Sequence, residues 1–198
     1  MVNKKAFLAA GTALVTLLML SSLMIMHTGR SQDENQVTLV LLQIDSIPGE
    51  STVINHERWI NIDVFGWSEA MASVTGIANG RAAARINMTA FQFAMTTNNA
   101  SAMLFLACAT GRIIPRATLD VCKPMDAGPV MLLRFDFVGV TINSYSIAGN
   151  TLGDHQNDEF SIAFTKITMT CWQYDEGGSL ISVYSAYYDL STGKGGIA

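Results

Sequence analysis

The sequence predicts a mainly β domain, an antiparallel barrel or sandwich of about seven strands with one flanking α-helix, preceded by an apolar N-terminal helix. Three observations lead there. Strand-length stretches rich in branched and aromatic residues recur between Val37 and Leu190, separated by turn residues such as Pro48-Gly49 and Gly177-Gly178. Only the stretch ending at Gly111 repeats apolar residues at the i, i+3, i+4 spacing of a helix face. Ahead of both, the 21 residues from Ala6 to Met26 carry no charge.

That first run is long enough to cross the hydrocarbon core of a bilayer as a helix, and Lys4-Lys5 before it hold the N-terminus on the cytoplasmic side. Residues 1–29 are therefore expected to be a signal peptide or a transmembrane anchor, with residues 6–26 in the membrane. The run exceeds the 7–15 apolar residues of a usual secretory segment, and Leu23 to Arg30 offer no Ala-x-Ala site and no lipobox cysteine. Cleavage and retention both stay open. Either way the domain is expected to be secreted or extracytoplasmic, inner-membrane anchored if the run is kept. Residues 30–36, Arg30 to Gln36, are polar and aperiodic and read as a linker, which leaves residues 37–198 as one domain.

The first strand is Val37 to Ile44, a continuous apolar run ended by Asp45-Ser46-Ile47-Pro48-Gly49-Glu50. Between Arg58 and Glu69, Trp59, Asn61, Asp63, Phe65 and Trp67 alternate with Ile60, Ile62, Val64 and Gly66, so this strand carries apolar residues on both faces. Met71 to Arg85 is small-residue and glycine-containing, a long loop. Ile86 to Met95 resumes the alternation. Asn98 or Asn99 can cap a helix that buries Ala100, Met103, Leu104 and Ala107, with Cys108 behind, and stops at Gly111. Ile113-Ile114, Ala117 to Cys122 and Met131 to Ile142 follow as strands. Phe160 to Tyr174 and Leu180 to Leu190 form a last pair across Asp175-Glu176-Gly177-Gly178. The apolar phase switches after Phe137 and again after Phe164, which calls for a bulge or for a strand that meets another subunit along part of its length.

Composition narrows the function. Once the three basic and two acidic residues of the first 36 are set aside from totals of 12 and 16, nine basic and 14 acidic residues remain, a formal charge of −5. With no basic stripe beyond Arg81 and Arg85, nucleic acid is excluded as a partner. No Gly-x-Ser-x-Gly, His-Glu-x-x-His, phosphate-loop or dinucleotide pattern occurs, and no enzyme, metal or cofactor site is expected. The best acid–base cluster, Gly153 to Glu159 with His155 and Asp158, falls in a polar loop. His56-Glu57-Arg58 lacks further ligands, and a surface or hydrogen-bonding role is expected. Cys108, Cys122 and Cys171 are too dispersed for zinc and read as structural thiols, although export would allow one pair to bridge.

Several stretches resemble the haemolysin-coregulated proteins (Hcp), the tube subunits of type VI secretion systems. They are Leu41 to Ser51, then His56 followed by Ile62 to Ser68, then Leu104 to Gly111, and Glu159 to Ile167. The resemblance implies a closed antiparallel β-barrel with one flanking helix and a six-membered ring. It further implies that rings stack into a tube whose lumen carries secreted effectors, with spike or sheath proteins as further partners and no catalysis. Pro48, Gly49, Glu50, Ser51, Trp59 and Trp67 are the expected subunit or stacking contacts. The departure from the family pattern is residues 1–36, which leave open an alternative, an exported or membrane-tethered Hcp-like binding domain outside the secretion machine.

Overall fold

The computed structural model describes residues 38–71, 86–126, 128–149 and 156–198. The apolar run 6–26, the linker and most of the Met71–Arg85 loop lie outside them. No helix among the described residues is long and apolar enough to cross a membrane.

The described chain forms twelve strands and one helix. In order they are β1 (Leu39–Ile44), β2 (Ile60–Asn61), β3 (Val64–Gly66), β4 (Glu69–Met71), β5 (Ile86–Met88), β6 (Phe91–Thr96) and α1 (Ser101–Thr110). Then come β7 (Ile114–Lys123), β8 (Val130–Ala148), β9 (Asn157–Ala163), β10 (Lys166–Tyr174), β11 (Leu180–Asp189) and β12 (Lys194–Ile197). Every pairing is antiparallel. One path runs β12-β11-β10-β8-β7-β1-β2, and a branch leaves β8 through β9 and β6 to β3. β4 and β5 form a separate pair.

The expected closed barrel is corrected by this order, which is open. β12 ends the path on one side, β2 on the other, and β3 ends the branch. Between Asn61 and Val64 the chain steps from one edge to the other. There Ile62 N–H bonds Val40 O and Asp63 N–H bonds Ala94 O, both at 2.9 Å. The ladders flanking that step are only two and three residue pairs long, too short to make a closing strand. The single strand expected from Arg58 to Glu69 is thus three short ones, because its successive parts pair with β1, β6 and β5.

The 19-residue β8 organises the rest. Its first half lies between β7 and β10, and its second half pairs with β9. The phase switch has its cause at the junction. Gly139 has φ 62°, and a Cβ there would stand 2.5 Å from Thr165 Oγ1. Phe135 and Phe137 are buried before it, Val140 and Ile142 after it. A bend thus explains the switch that a second subunit could also have explained.

The core is aromatic and lies between the two branches. Phe91 stacks on Phe93 with centroids 5.2 Å apart and meets Phe135 and Phe137 edge-on at 5.1 and 5.2 Å. Such pairs contribute about 0.5–1.5 kcal/mol each beyond their burial. Helix α1 packs on β8 through Leu104 and Ala107. Gly111 ends it in the left-handed conformation expected, φ 60°. Two helix expectations are corrected. Met103 is exposed, because the buried stripe runs Ser101, Leu104, Ala107. Neither asparagine is the cap residue, which is Ala100; Asn98 Oδ1 instead accepts the Ala100 N–H at 2.9 Å, just ahead of the helix.

Candidate functional site

The β1–β2 connection, residues 45–59, carries the expected contact residues Pro48, Gly49, Glu50, Ser51 and Trp59. It is locked by its own backbone. Gly49 N–H bonds Arg58 O at 2.7 Å, Arg58 N–H bonds Ser51 O at 2.8 Å and Ser51 N–H bonds Trp59 O at 2.9 Å. At Gly49 a Cβ would stand 2.2 Å from Trp59 O and 2.5 Å from Ile60 Cα, so only glycine lets the two segments approach. The three non-glycine residues with positive φ among the described residues, Ser46, Asn55 and Arg58, all fall in or beside this connection. Such backbone costs about 1–3 kcal/mol per residue and persists where the surroundings over-determine it.

The connection is pinned to the outer face of the sheet by a buried ionic chain. Asp120 on β7 is fully buried. It accepts Arg134 Nε on Oδ1 and Arg134 Nη2 on Oδ2, both at 2.6 Å. His56 Nε2 stands 2.8 Å from Asp120 Oδ2, its Nδ1 is 3.3 Å from Ile54 O, and its ring meets Trp59 edge-on at 4.6 Å. The carboxylate of Asp120 raises the Arg134 guanidinium above its usual range. Leu41 and Cys122 are buried on this side too, whereas Leu42 and Leu119, next in the chain to Leu41 and Asp120, face the main core. Burial, then the Asp120 charge, pushes the Cys122 thiol up to about 11. Both faces of β1 are apolar because the connection covers a second, smaller core. Of the two roles expected for His56, it has the hydrogen-bonding one and is buried instead of lying at the surface. Asp120 and Arg134 do not stand out in the sequence, because β7 also carries Arg116 and Lys123 and β8 also carries Asp136.

A second surface is the continuation of the main core's face past the core. Ile167 and Phe137 are cross-strand neighbours and buried. Further along β10 the same face carries Met169, between the buried Phe135 of β8 and Ala186 of β11, then Cys171 opposite Tyr184, with Ile197 of β12 opposite Ala186. Met169 is 39% exposed, Tyr184 66% and Ile197 87%. β12 leaves its outer edge unpaired among the described strands.

The remaining expected residues divide. Trp67 is half-buried, stacked on Phe91 at 5.8 Å and edge-on to Phe135 at 6.1 Å, a core position; its Nε1 is buried without a partner among the described residues. His155 and Asp154 lie outside the described residues. Asp158 is not in a polar loop but on β9, fully buried, accepting Thr97 Oγ1–H at 2.6 Å and Tyr145 O–H at 2.9 Å. Burial, then the bond to Asp158, raises the Tyr145 phenol. Among the described residues no group of three or more His, Cys, Asp or Glu converges as metal ligands would. The three cysteines are free thiols, and Cys122 Sγ lies 3.4 Å from Met131 Sδ.

An open antiparallel sheet folded over one aromatic core, one short helix and an apolar face continuing into solvent define the class, an antiparallel β-sheet domain. The sequence matches the family described as type VI secretion system effector, Hcp, over residues 41–171, and the chain belongs to that family. Its fold is that of a type VI secretion tube protein. Hcp1 from Salmonella typhimurium is 25% identical with a TM-score of 0.65, covering 80% of this chain and 98% of its own. A type VI secretion system effector from Yersinia pestis is 27% identical with a TM-score of 0.60, covering 76% and 98%. A structure described only as a type six secretion system protein shares the fold at 21% identity, with a TM-score of 0.74 over 81% of this chain and all of its own. No curated protein matches the chain.

Proposed function

We propose that the chain is a non-enzymatic subunit that closes into a homo-oligomeric ring, a hexamer by family resemblance. Rings stack into a tube that carries secreted effectors in its lumen and meets spike and sheath proteins. The observation that carries this reading is the apolar overhang of β10, β11 and β12. Exposed apolar side chains on the same face as the core, beside an open strand edge, favour a second protein surface at about 25 cal/mol per Å² buried. Ring closure needs head-to-tail contacts, in which a patch meets a different patch of the next copy. The β1–β2 connection supplies the second contact, with Pro48, Glu50 and Trp59 at a rigid surface.

Light scattering of the full-length chain in mild detergent at micromolar concentration should return a multiple of 21.4 kDa after correction for detergent. Tyr184→Lys with Ile197→Lys should return single chains. A clean monomer for the wild type would refute the reading. The uncharged Ala6–Met26 run favours a second reading, an exported or membrane-tethered Hcp-like domain outside the secretion machine. In that reading the same overhang binds a different protein, and scattering shows the monomer.

A further inference from the structure

We infer that His56, acting through Asp120 and Arg134, is a latch that holds the β1–β2 connection in the single conformation able to contact another copy. The inference rests on the ring reading and adds to it a positioning residue.

The geometry assigns the role. His56 is the one side chain of the connection that reaches the ionic chain, and Asp120, its partner, is 64 residues away on β7. Asp120 is in turn fixed by both Arg134 bonds, so the imidazole meets an immobile acceptor. On either side of His56 the backbone takes left-handed turns at Asn55 and Arg58, φ 66° and 64°. Asparagine visits that region readily, but a long side chain such as Arg58 leaves it unless something holds it there. His56 sits between the two and is buried, with Trp59 against its ring. Releasing it frees Arg58 to relax, and Arg58 is the residue whose N–H and C=O both bond back to the Gly49–Ser51 strip. The contact strip would then lose its shape while the aromatic core, on the opposite face of the sheet, keeps its own.

Amide hydrogen exchange and sedimentation of full-length wild type, His56→Ala and His56→Gln test this. His56→Ala should speed exchange at Gly49, Ser51 and Arg58 by about tenfold or more, leave Phe93 and Ile162 in the core strands unchanged, and weaken self-association about tenfold. Gln keeps an N–H that can reach Asp120 and should restore most of both. Equal deprotection of loop and core strands overturns the latch, since His56 would then serve only overall stability. Unchanged loop exchange overturns it, and so does loop-confined exchange with undiminished association. A monomeric wild type refutes the ring reading itself, and exchange at the three amides is then the sole measure of the latch.

Discussion

Replacing Arg134 with methionine strips a fully buried carboxylate of two charge-assisted bonds while keeping the bulk of the side chain. Asp120 has no exposed surface, and both lost bonds are 2.6 Å long. Removing one partner of a buried pair costs about 3–5 kcal/mol, because the charge left behind is unpaired. Two features place the cost at the lower end, about 3 kcal/mol: the Arg134 side chain is 35% exposed, and His56 remains 2.8 Å from Oδ2. The same substitution made where Asp120 is already asparagine strands no charge and should cost less than about 1 kcal/mol. A double-mutant cycle by guanidinium unfolding should therefore give a coupling of about 2 kcal/mol or more. Additivity within about 0.5 kcal/mol would refute the claim that Asp120 depends on Arg134, and with it the fixed acceptor that the latch requires.

Leu104→Ala should lower stability by about 2–5 kcal/mol, since Leu104 is fully buried beneath α1, whereas Phe105→Ala, at a residue 59% exposed, should change the unfolding midpoint of a monomer little. Cys122 gives a pH signature. Its thiol is raised from 9.0 to about 11 in the fold, so its contribution to stability is fully present below pH 9 and is lost as pH rises through 11. Between those two limits the loss runs at about 1.4 kcal/mol for each step of one in pH. The difference in unfolding free energy between wild type and Cys122→Ala should fall across that window, and a flat difference would contradict the buried placement.

What was legible in the sequence was what local pattern controls. β1, the end of α1 at Gly111, the Met131–Ile142 part of β8 and the β10–β11 hairpin all follow from runs of branched residues and from glycines where the chain must turn, whereas β8 continues to Ala148, past the expected end. Sheet closure was not legible, because it depends on which neighbour a strand meets; Ile60 to Gly66 alternates like one strand and pairs like two. β12 was missed for a related reason. Lys194-Gly195-Gly196-Ile197 has no strand character of its own and is extended only by its register with β11. Among the contact residues, alternation could not separate Trp59 at the connection from Trp67 in the aromatic core. The ionic chain was hidden because His56, Asp120 and Arg134 are far apart in the chain and meet only once β1, β7 and β8 are aligned.

The way β8 serves both branches also sets the order in which the fold can be found. From Ile114 to Asp189 the chain is a meander in which β7 pairs with β8, β8 with β9 and β10 with β11, with Lys123 opposite Val130 and Tyr174 opposite Leu180, while β10 turns away from β9 to pair with the first half of β8. Closing such short loops is entropically inexpensive, and each added residue of separation raises the cost slowly. By contrast Ile44 meets Ala117 and Thr96 meets Asn157 only across separations of 73 and 61 residues, the kind of pairing that slows folding. The C-terminal meander can therefore assemble first and offer β7 and β9 as ready edges, onto which β1 and β6 dock. On a ribosome those N-terminal strands emerge first, and β1 must wait for the edge that covers it. During that interval Leu41 and Leu42, destined for opposite faces, are both open to water, and the nascent chain is most exposed to mispairing.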